Sequence, residues 1–206
     1  LLGEKEFHGL ALQVTPDVLV PRPDTETLVD WALDLLPADS TAAVLDLGTG
    51  SGAVALALAR RRPGLRITAV DASEAALAVA RRNGERLGLP VRWLASDWFG
   101  ALAGERYGLI VGNPPYIADG DPHLAALSHE PLRALTSGAD GLSDIRRIAA
   151  GAQAHLDPGG WLLLEHGHEQ AEAVRGLLGA AGLADACTRA DLAGRPRCSG
   201  ARRPPA

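Results

Sequence analysis

The sequence predicts a doubly wound α/β fold: a mostly parallel, seven-stranded sheet preceded by a β-hairpin connector. Three observations carry this expectation. From residue 42 onward, short apolar runs alternate with amphipathic helical stretches, the pattern of a parallel sheet covered on both faces. A glycine-rich turn, Asp46-Leu47-Gly48-Thr49-Gly50-Ser51-Gly52, joins the first apolar run to the first helix of that series. A rigid corner, Asn113-Pro114-Pro115-Tyr116, closes the fourth run, and open α/β sheets bind ligands beyond the carboxyl ends of their strands.

Taken in order, residues 7–13 alternate as a strand and 18–20 resume after Thr15-Pro16-Asp17, which reads as a hairpin. The stiff stretch Pro21-Arg22-Pro23-Asp24-Thr25-Glu26 precedes a helix with Leu28, Val29, Trp31, Ala32, Leu35 and Leu36 on its apolar positions, ending at Pro37. Thr25 or Asp24 is the expected cap. Strands are then expected at 42–47, 66–70, 91–95, 107–111, 161–165, 184–188 and 197–201, with helices at 53–62, 74–87, 143–155 and 169–181. Pro63-Gly64, Gly88 and Pro158-Gly159-Gly160 punctuate them. The last strand, with Arg197, Ser199 and Gly200, is poorly apolar, so a weak sheet edge is expected there, and the tail 202–206 is expected to fray.

At 206 residues the chain suits one sizeable domain, divided as a connector over 1–26 and the main domain over 27–206. Its 47% hydrophobic and 22% charged residues are those of an ordinary globular protein, and no apolar run reaches membrane-spanning length. A formal net charge of -5 argues against a nucleic-acid duplex as the main partner. Two cysteines, Cys187 and Cys198, make no disulfide framework, which points to the cytoplasm. Methionine is absent even at position 1, so the chain is expected to be a piece of a longer protein.

The glycine turn is a cofactor cradle: a ligand must approach the backbone closely, and the helix start offers free N–H donors. As Gly48-x-Gly50-x-x-Ala53 with Asp71 ending the next strand, it nearly matches the NAD fingerprint. Asp46 tilts the balance, because a carboxylate beside a pyrophosphate is repelled, whereas one beside an ammonium and a sulfonium is attracted. S-adenosyl-L-methionine answers that description, with Asp71 taking the ribose, Asp97 the adenine amine and Trp98 the adenine ring. Glu165, His166 and His168 form too small a cluster to argue for a metal, and none is expected.

Asp46-x-Gly48-x-Gly50-x-Gly52, Asp71, Ser96-Asp97-Trp98 and Asn113-Pro114-Pro115-Tyr116 resemble a class I methyltransferase that alkylates a planar nitrogen. Val20-Pro-Arg-Pro-Asp-Thr-Glu26, Glu130-Pro131 with Ala134-Leu135, Gly138-x-Asp140-Gly141-Leu142 and Leu164-Glu-His-Gly167 narrow the resemblance to the bacterial peptide chain release factor glutamine N(5)-methyltransferases. The resemblance runs from Phe7 to about Arg203. It implies a Rossmann-like class I fold and transfer of a methyl group from S-adenosyl-L-methionine, leaving S-adenosyl-L-homocysteine, to a glutamine amide of a release factor. It also implies a helical domain ahead of the hairpin, and the sequence given begins at the hairpin. The expected cofactor residues are Asp46, Leu47, Gly48, Thr49, Gly50, Asp71, Asp97, Trp98 and Asn113. Asn113, Pro114, Pro115 and Tyr116 are the expected substrate contacts, with catalysis resting on Asn113, Pro114 and Tyr116. A monomer without direct nucleic-acid or membrane contact is expected. Adenine methylation and NAD-dependent oxidoreduction are the competing readings, together with a binding module that keeps the pocket without turnover.

Overall fold

A computed structural model describes residues 3–127 and 129–205. Its first element is a tight antiparallel hairpin, β1 (Glu4–Phe7) with β2 (Leu10–Gln13), closed by His8 and Gly9 at φ 48° and 79°. The expected single run over 7–13 therefore contains the turn itself: two positive-φ residues reverse the chain inside what reads as one alternation. Residues 18–20 make no strand, and Val18 is buried with Ala76 and Val79.

A single 3₁₀ turn, Pro23–Thr25, leads into α1 (Glu26–Leu35). Thr25 occupies the cap position without giving its side chain to the cap. At the far end of α1, Arg62 reaches over to donate to the carbonyls of Leu33, Leu36 and Pro37. A side chain from another element thus satisfies carbonyls that the end of α1 leaves open.

The main sheet follows from β3 (Ala43–Leu47), β4 (Arg66–Asp71), β5 (Arg92–Ala95), β6 (Tyr107–Gly112), β7 (Leu156–Glu165), β8 (Ala184–Ala190) and β9 (Pro196–Arg202). The seven-stranded order is β5-β4-β3-β6-β7-β9-β8, parallel except for the two pairings of β9. Helices α2 (Ala53–Arg61), α3 (Glu74–Leu87), α4 (Ser143–His155) and α5 (Ala171–Ala180) complete the doubly wound layers. Successive residues point to opposite faces: Val44, Leu109 and Val111 pack with α1 and α2, while Leu45, Leu47 and Ile110 pack with α4 and α5. Gly88 at φ 64° closes α3, and Ser73 opens it by accepting from the Ala76 N–H at 3.2 Å.

The expected weak edge is a correction. β9 lies between β7 and β8, and β8 is the edge. Its polar residues are matched: Ser199 Oγ lies 2.8 Å from His166 Nε2 and 2.7 Å from Thr188 Oγ1. Arg197 pairs with Asp24 and Asp191, each at 3.2 Å. A buried strand tolerates polar side chains when each finds a partner. The tail is tied down as well: the Arg203 N–H donates to Gly160 O at 2.8 Å, and Arg203 O accepts from the Gly159 N–H at 3.0 Å. Ala206 lies outside the described residues.

One buried amide links the hairpin to the sheet. Asn83 of α3 exchanges two hydrogen bonds with the backbone of Gln13 at 2.8 and 3.0 Å and donates a third to Ser51 O at 2.9 Å.

Candidate active site

β3 pairs with β4 on one side and β6 on the other, so the loops after these strands diverge and leave a crevice between them. Gly48, Gly50 and Gly52 hold φ of 68°, 56° and 85°, a backbone that other residues rarely adopt. A cavity of about 260 Å³ opens there, lined among others by Asp46, Gly48, Gly50, Asp71, Trp98 and Asn113.

Asp46 is buried and accepts from the Thr49 hydroxyl at 2.6 Å. Burial raises its carboxyl to about 6, opposed by the Thr49 hydroxyl and the Ala55 N–H in the first turn of α2. Asp71 takes the Gly50 N–H on one oxygen and the Ser73 N–H on the other, both at 2.9 Å. Each oxygen keeps lone pairs for a diol. Ser96 Oγ binds the Trp98 carbonyl at 2.8 Å and the Ala101 N–H at 3.0 Å, shaping a corner in which Trp98 takes φ 49°. Its indole lies against Gly48, where a Cβ would come within 3.3 Å of the ring, and donates to Asp144 at 3.1 Å. Asp97 lines the same cavity and pairs with Arg147 at 2.6 Å.

Of the expected cofactor residues, Leu47 does not line the cavity; its side chain is in the core facing α4 and α5. Asp46, Gly48, Thr49, Gly50, Asp71, Asp97, Trp98 and Asn113 all border it. The donor set suits S-adenosylmethionine: a buried, desolvated carboxylate for a cationic ligand and a backbone-anchored acid for a ribose. The same buried carboxylate opposes a pyrophosphate.

A second hollow, of about 320 Å³, adjoins the first. Leu19, Arg22, Asn113, Pro115 and Ala134 border both, while Pro114 and Tyr116 border the second alone. Asn113 therefore stands at the junction. Its Nδ2 donates to Thr25 Oγ1 at 3.2 Å, which leaves Oδ1 as the acceptor on the other side. Tyr116, an expected substrate contact, borders this second hollow, and its hydroxyl donates to Glu165 Oε1 at 3.2 Å. Burial and the neighbouring Glu165 carboxylate hold the phenol well above its ordinary range.

Several site residues escaped the sequence reading. Glu165 is 1% exposed, and burial raises it to about 7 against the pull of the Thr25 and Tyr116 hydroxyls and Arg197. Thr25 was legible only as a cap. Nothing in the sequence singles out Ser73 or Arg133, which bond across the mouth of the cavity, or Asp144 behind Trp98. Glu130 binds Arg22 and takes the Val20 N–H at 3.1 Å, joining two stretches of the family pattern in space. His166, suggestive of a metal in sequence, spends both ring nitrogens on Gly167 O and Ser199 Oγ. Among the described residues no three His, Cys, Asp or Glu side chains gather as a metal site.

Fold, cradle and polar corner together define a class I S-adenosylmethionine-dependent methyltransferase. Residues 26–138 match the family model of the methyltransferase small domain. The chain is 54% identical over 213 aligned residues to the release factor glutamine methyltransferase of Burkholderia pseudomallei, covering 99% of this chain and 75% of that one. It is 56% identical over 200 to that of Pseudomonas aeruginosa, covering 96% and 72%. The solved protein-(glutamine-N5) methyltransferase (release factor-specific) of Alicyclobacillus acidocaldarius superposes with a TM-score of 0.58 at 34% identity, covering 94% of this chain and all of that one. The chain belongs to the release factor glutamine methyltransferase family, and its methyl donor is S-adenosylmethionine. These relatives give no support to adenine methylation or NAD-dependent oxidoreduction.

Proposed function

We propose that this chain methylates the side-chain amide nitrogen of a glutamine in a peptide chain release factor, with Asn113, Pro114 and Tyr116 as the catalytic corner. The observation that carries the reading is the junction: Asn113 and Pro115 border both the cofactor cavity and the adjoining hollow. Leu19, Arg22 and Ala134 share that boundary, and Asn113 is the residue on it with an amide to offer to both sides.

S-adenosylmethionine, when bound, supplies an electrophilic methyl on a positive sulfonium. Asp46 would meet the ligand's positive end and Asp71 its ribose, while Asp97 and Trp98 would border the adenine. An amide nitrogen is a poor nucleophile because its lone pair is delocalised into the carbonyl, so the protein's task is orientation. Asn113 Oδ1 and the Pro114 carbonyl accept the two N–H bonds and turn the nitrogen's π-face towards the methyl. The prolines add no competing donor and keep the corner stiff. Orientation of this kind lowers a barrier by up to ~7–11 kcal/mol. No base is needed before transfer: as the N–C bond forms the S–C bond breaks to leave S-adenosylhomocysteine, and the methylated nitrogen, acidic once positive, then gives up its proton to solvent. Tyr116, held by Glu165, forms the wall beside the amide and keeps water away from it.

The chain acts as a cytoplasmic monomer on a protein surface without contacting nucleic acid; its net charge of -5 supports the last of these. No helix among the described residues is long and apolar enough to cross a membrane. The test is radiolabelled methyl transfer to a purified bacterial release factor, beside a factor whose target glutamine is asparagine. Label on the first alone is expected. In Asn113→Ala, turnover should vanish while cofactor affinity stays within a few fold; unchanged turnover refutes the assignment.

A further inference from the structure

We propose that Glu165 and Thr25 form a positioning relay that decides which end of the Asn113 amide faces the substrate. The inference rests on the glutamine reading above and deepens it. The two ends of an Asn side chain are nearly equal in size, and the corner works only if Oδ1, not Nδ2, faces the incoming amide. Packing alone cannot make that choice; hydrogen-bond polarity can.

The polarity starts at β7. Glu165, when ionised, has only acceptors to offer. Its Oε1 takes the Tyr116 hydroxyl at 3.2 Å. Its Oε2 is buried and makes no hydrogen bond. An orphaned buried carboxylate oxygen calls for a donor. We assign that donor to the rotatable Thr25 hydroxyl, which bonds Asn113 and also pulls this carboxyl towards its charged form. Once its hydrogen is directed at Glu165, the Thr25 oxygen can only accept from Asn113, and it does so from Nδ2 at 3.2 Å. Asn113 Oδ1 is then left for the substrate's N–H. Were the Thr25 hydrogen aimed at Asn113, the amide would turn and present a donor to a donor.

Two features make the relay available. Thr25 sits at the cap position of α1 without bonding the cap, so its hydroxyl is free for the site. Arg197, bonded to Asp24 and Asp191 at 3.2 Å, stands near the carboxyl and favours its charged form. One carboxylate therefore holds both ends of the corner, Tyr116 directly and Asn113 through Thr25. Thr25 and Glu165 are positioning residues, since neither needs to touch the reacting atoms.

The test is kcat and KM for methyl transfer to a purified release factor, with S-adenosylmethionine affinity by calorimetry and folding by circular dichroism. Thr25→Val and Glu165→Gln should each lower kcat on the order of 100-fold, with cofactor affinity within about threefold. Thr25→Ser, which keeps the hydroxyl, should recover most of the Thr25→Val loss. The Thr25→Val, Glu165→Gln double variant should be no slower than the slower single one, because the two act as one unit. Folded Thr25→Val at near wild-type kcat, Thr25→Ser as slow as Thr25→Val, or multiplicative losses in the double variant would overturn the relay. If the wild type itself labels no release factor, the glutamine reading has failed instead.

Discussion

Asp46→Asn separates what the cofactor site costs the empty protein from what it gains on binding. The Asp46 carboxyl is raised from an ordinary 3.8 to about 6, chiefly by burial. A shift of that size corresponds to about 3 kcal/mol of destabilisation of the ligand-free fold once the group is ionised. The sign follows from proton counts: between the two values the folded state holds more protons than the unfolded one, so this contribution to stability falls as pH rises. Roughly 2 kcal/mol of the loss develops between about pH 4.5 and about pH 7.5, the rest below. The neutral amide removes this slope. Any fixed penalty from a poorer bond to Thr49 or to the Ala55 N–H cancels when the variant is compared with the wild type at two pH values. Urea unfolding of both ligand-free proteins at those pH values measures the double difference. The variant should gain about 2 kcal/mol on the wild type at the higher pH, while losing at least tenfold in S-adenosylmethionine affinity. A double difference near zero would refute the claim that Asp46 is held at a cost for a cationic ligand.

Glu165 should impose an acid limb on kcat centred near pH 7, because protonation turns an acceptor into a donor; the limb should be absent from the pH–rate profile of Glu165→Gln. Burial chiefly sets its midpoint, opposed by Thr25, Tyr116 and Arg197 and reinforced by Asp24, and the neighbouring Cys198 thiol, pushed up by burial, stays protonated. Gly48→Ala places a Cβ within 3.3 Å of Trp98 on a backbone at φ 68°, so calorimetry should find cofactor affinity down about tenfold and stability down by ~1–2 kcal/mol. Gly200→Ala is the harsher change: its Cβ would fall 2.5 Å from Leu163 Cδ2 and 2.9 Å from Leu162 O, inside the sheet. Urea titration should show a loss of about 3 kcal/mol or more, and a variant as stable as wild type would mean that β9 is not packed as described.

The parallel half of the sheet was legible because its strands are uniform apolar runs and its helices carry their own punctuation. Gly88 and the Ser143 start of α4 fell where expected. The cofactor cradle was legible for a related reason: a turn with three positive-φ positions leaves a glycine at each. What stayed hidden depends on partners distant in sequence. β9 reads as a poor edge because Ser199 and Arg197 look exposed until His166, Thr188, Asp24 and Asp191 are brought to them. Thr25 reads as a cap because local sequence cannot show Asn113, 88 positions away, claiming its hydroxyl. The hairpin was misplaced because His8-Gly9 lacks the usual Asn or Asp at a two-residue turn.

The three bonds of Asn83 give the hairpin and the cofactor cradle a common anchor. One amide clasps the backbone of Gln13, 70 positions earlier, and that of Ser51, 32 earlier, so a single buried side chain of α3 ties the second hairpin strand to the glycine-rich loop. Any displacement of that side chain bears on both at once, which makes the seat of the hairpin part of the framework that holds the cradle.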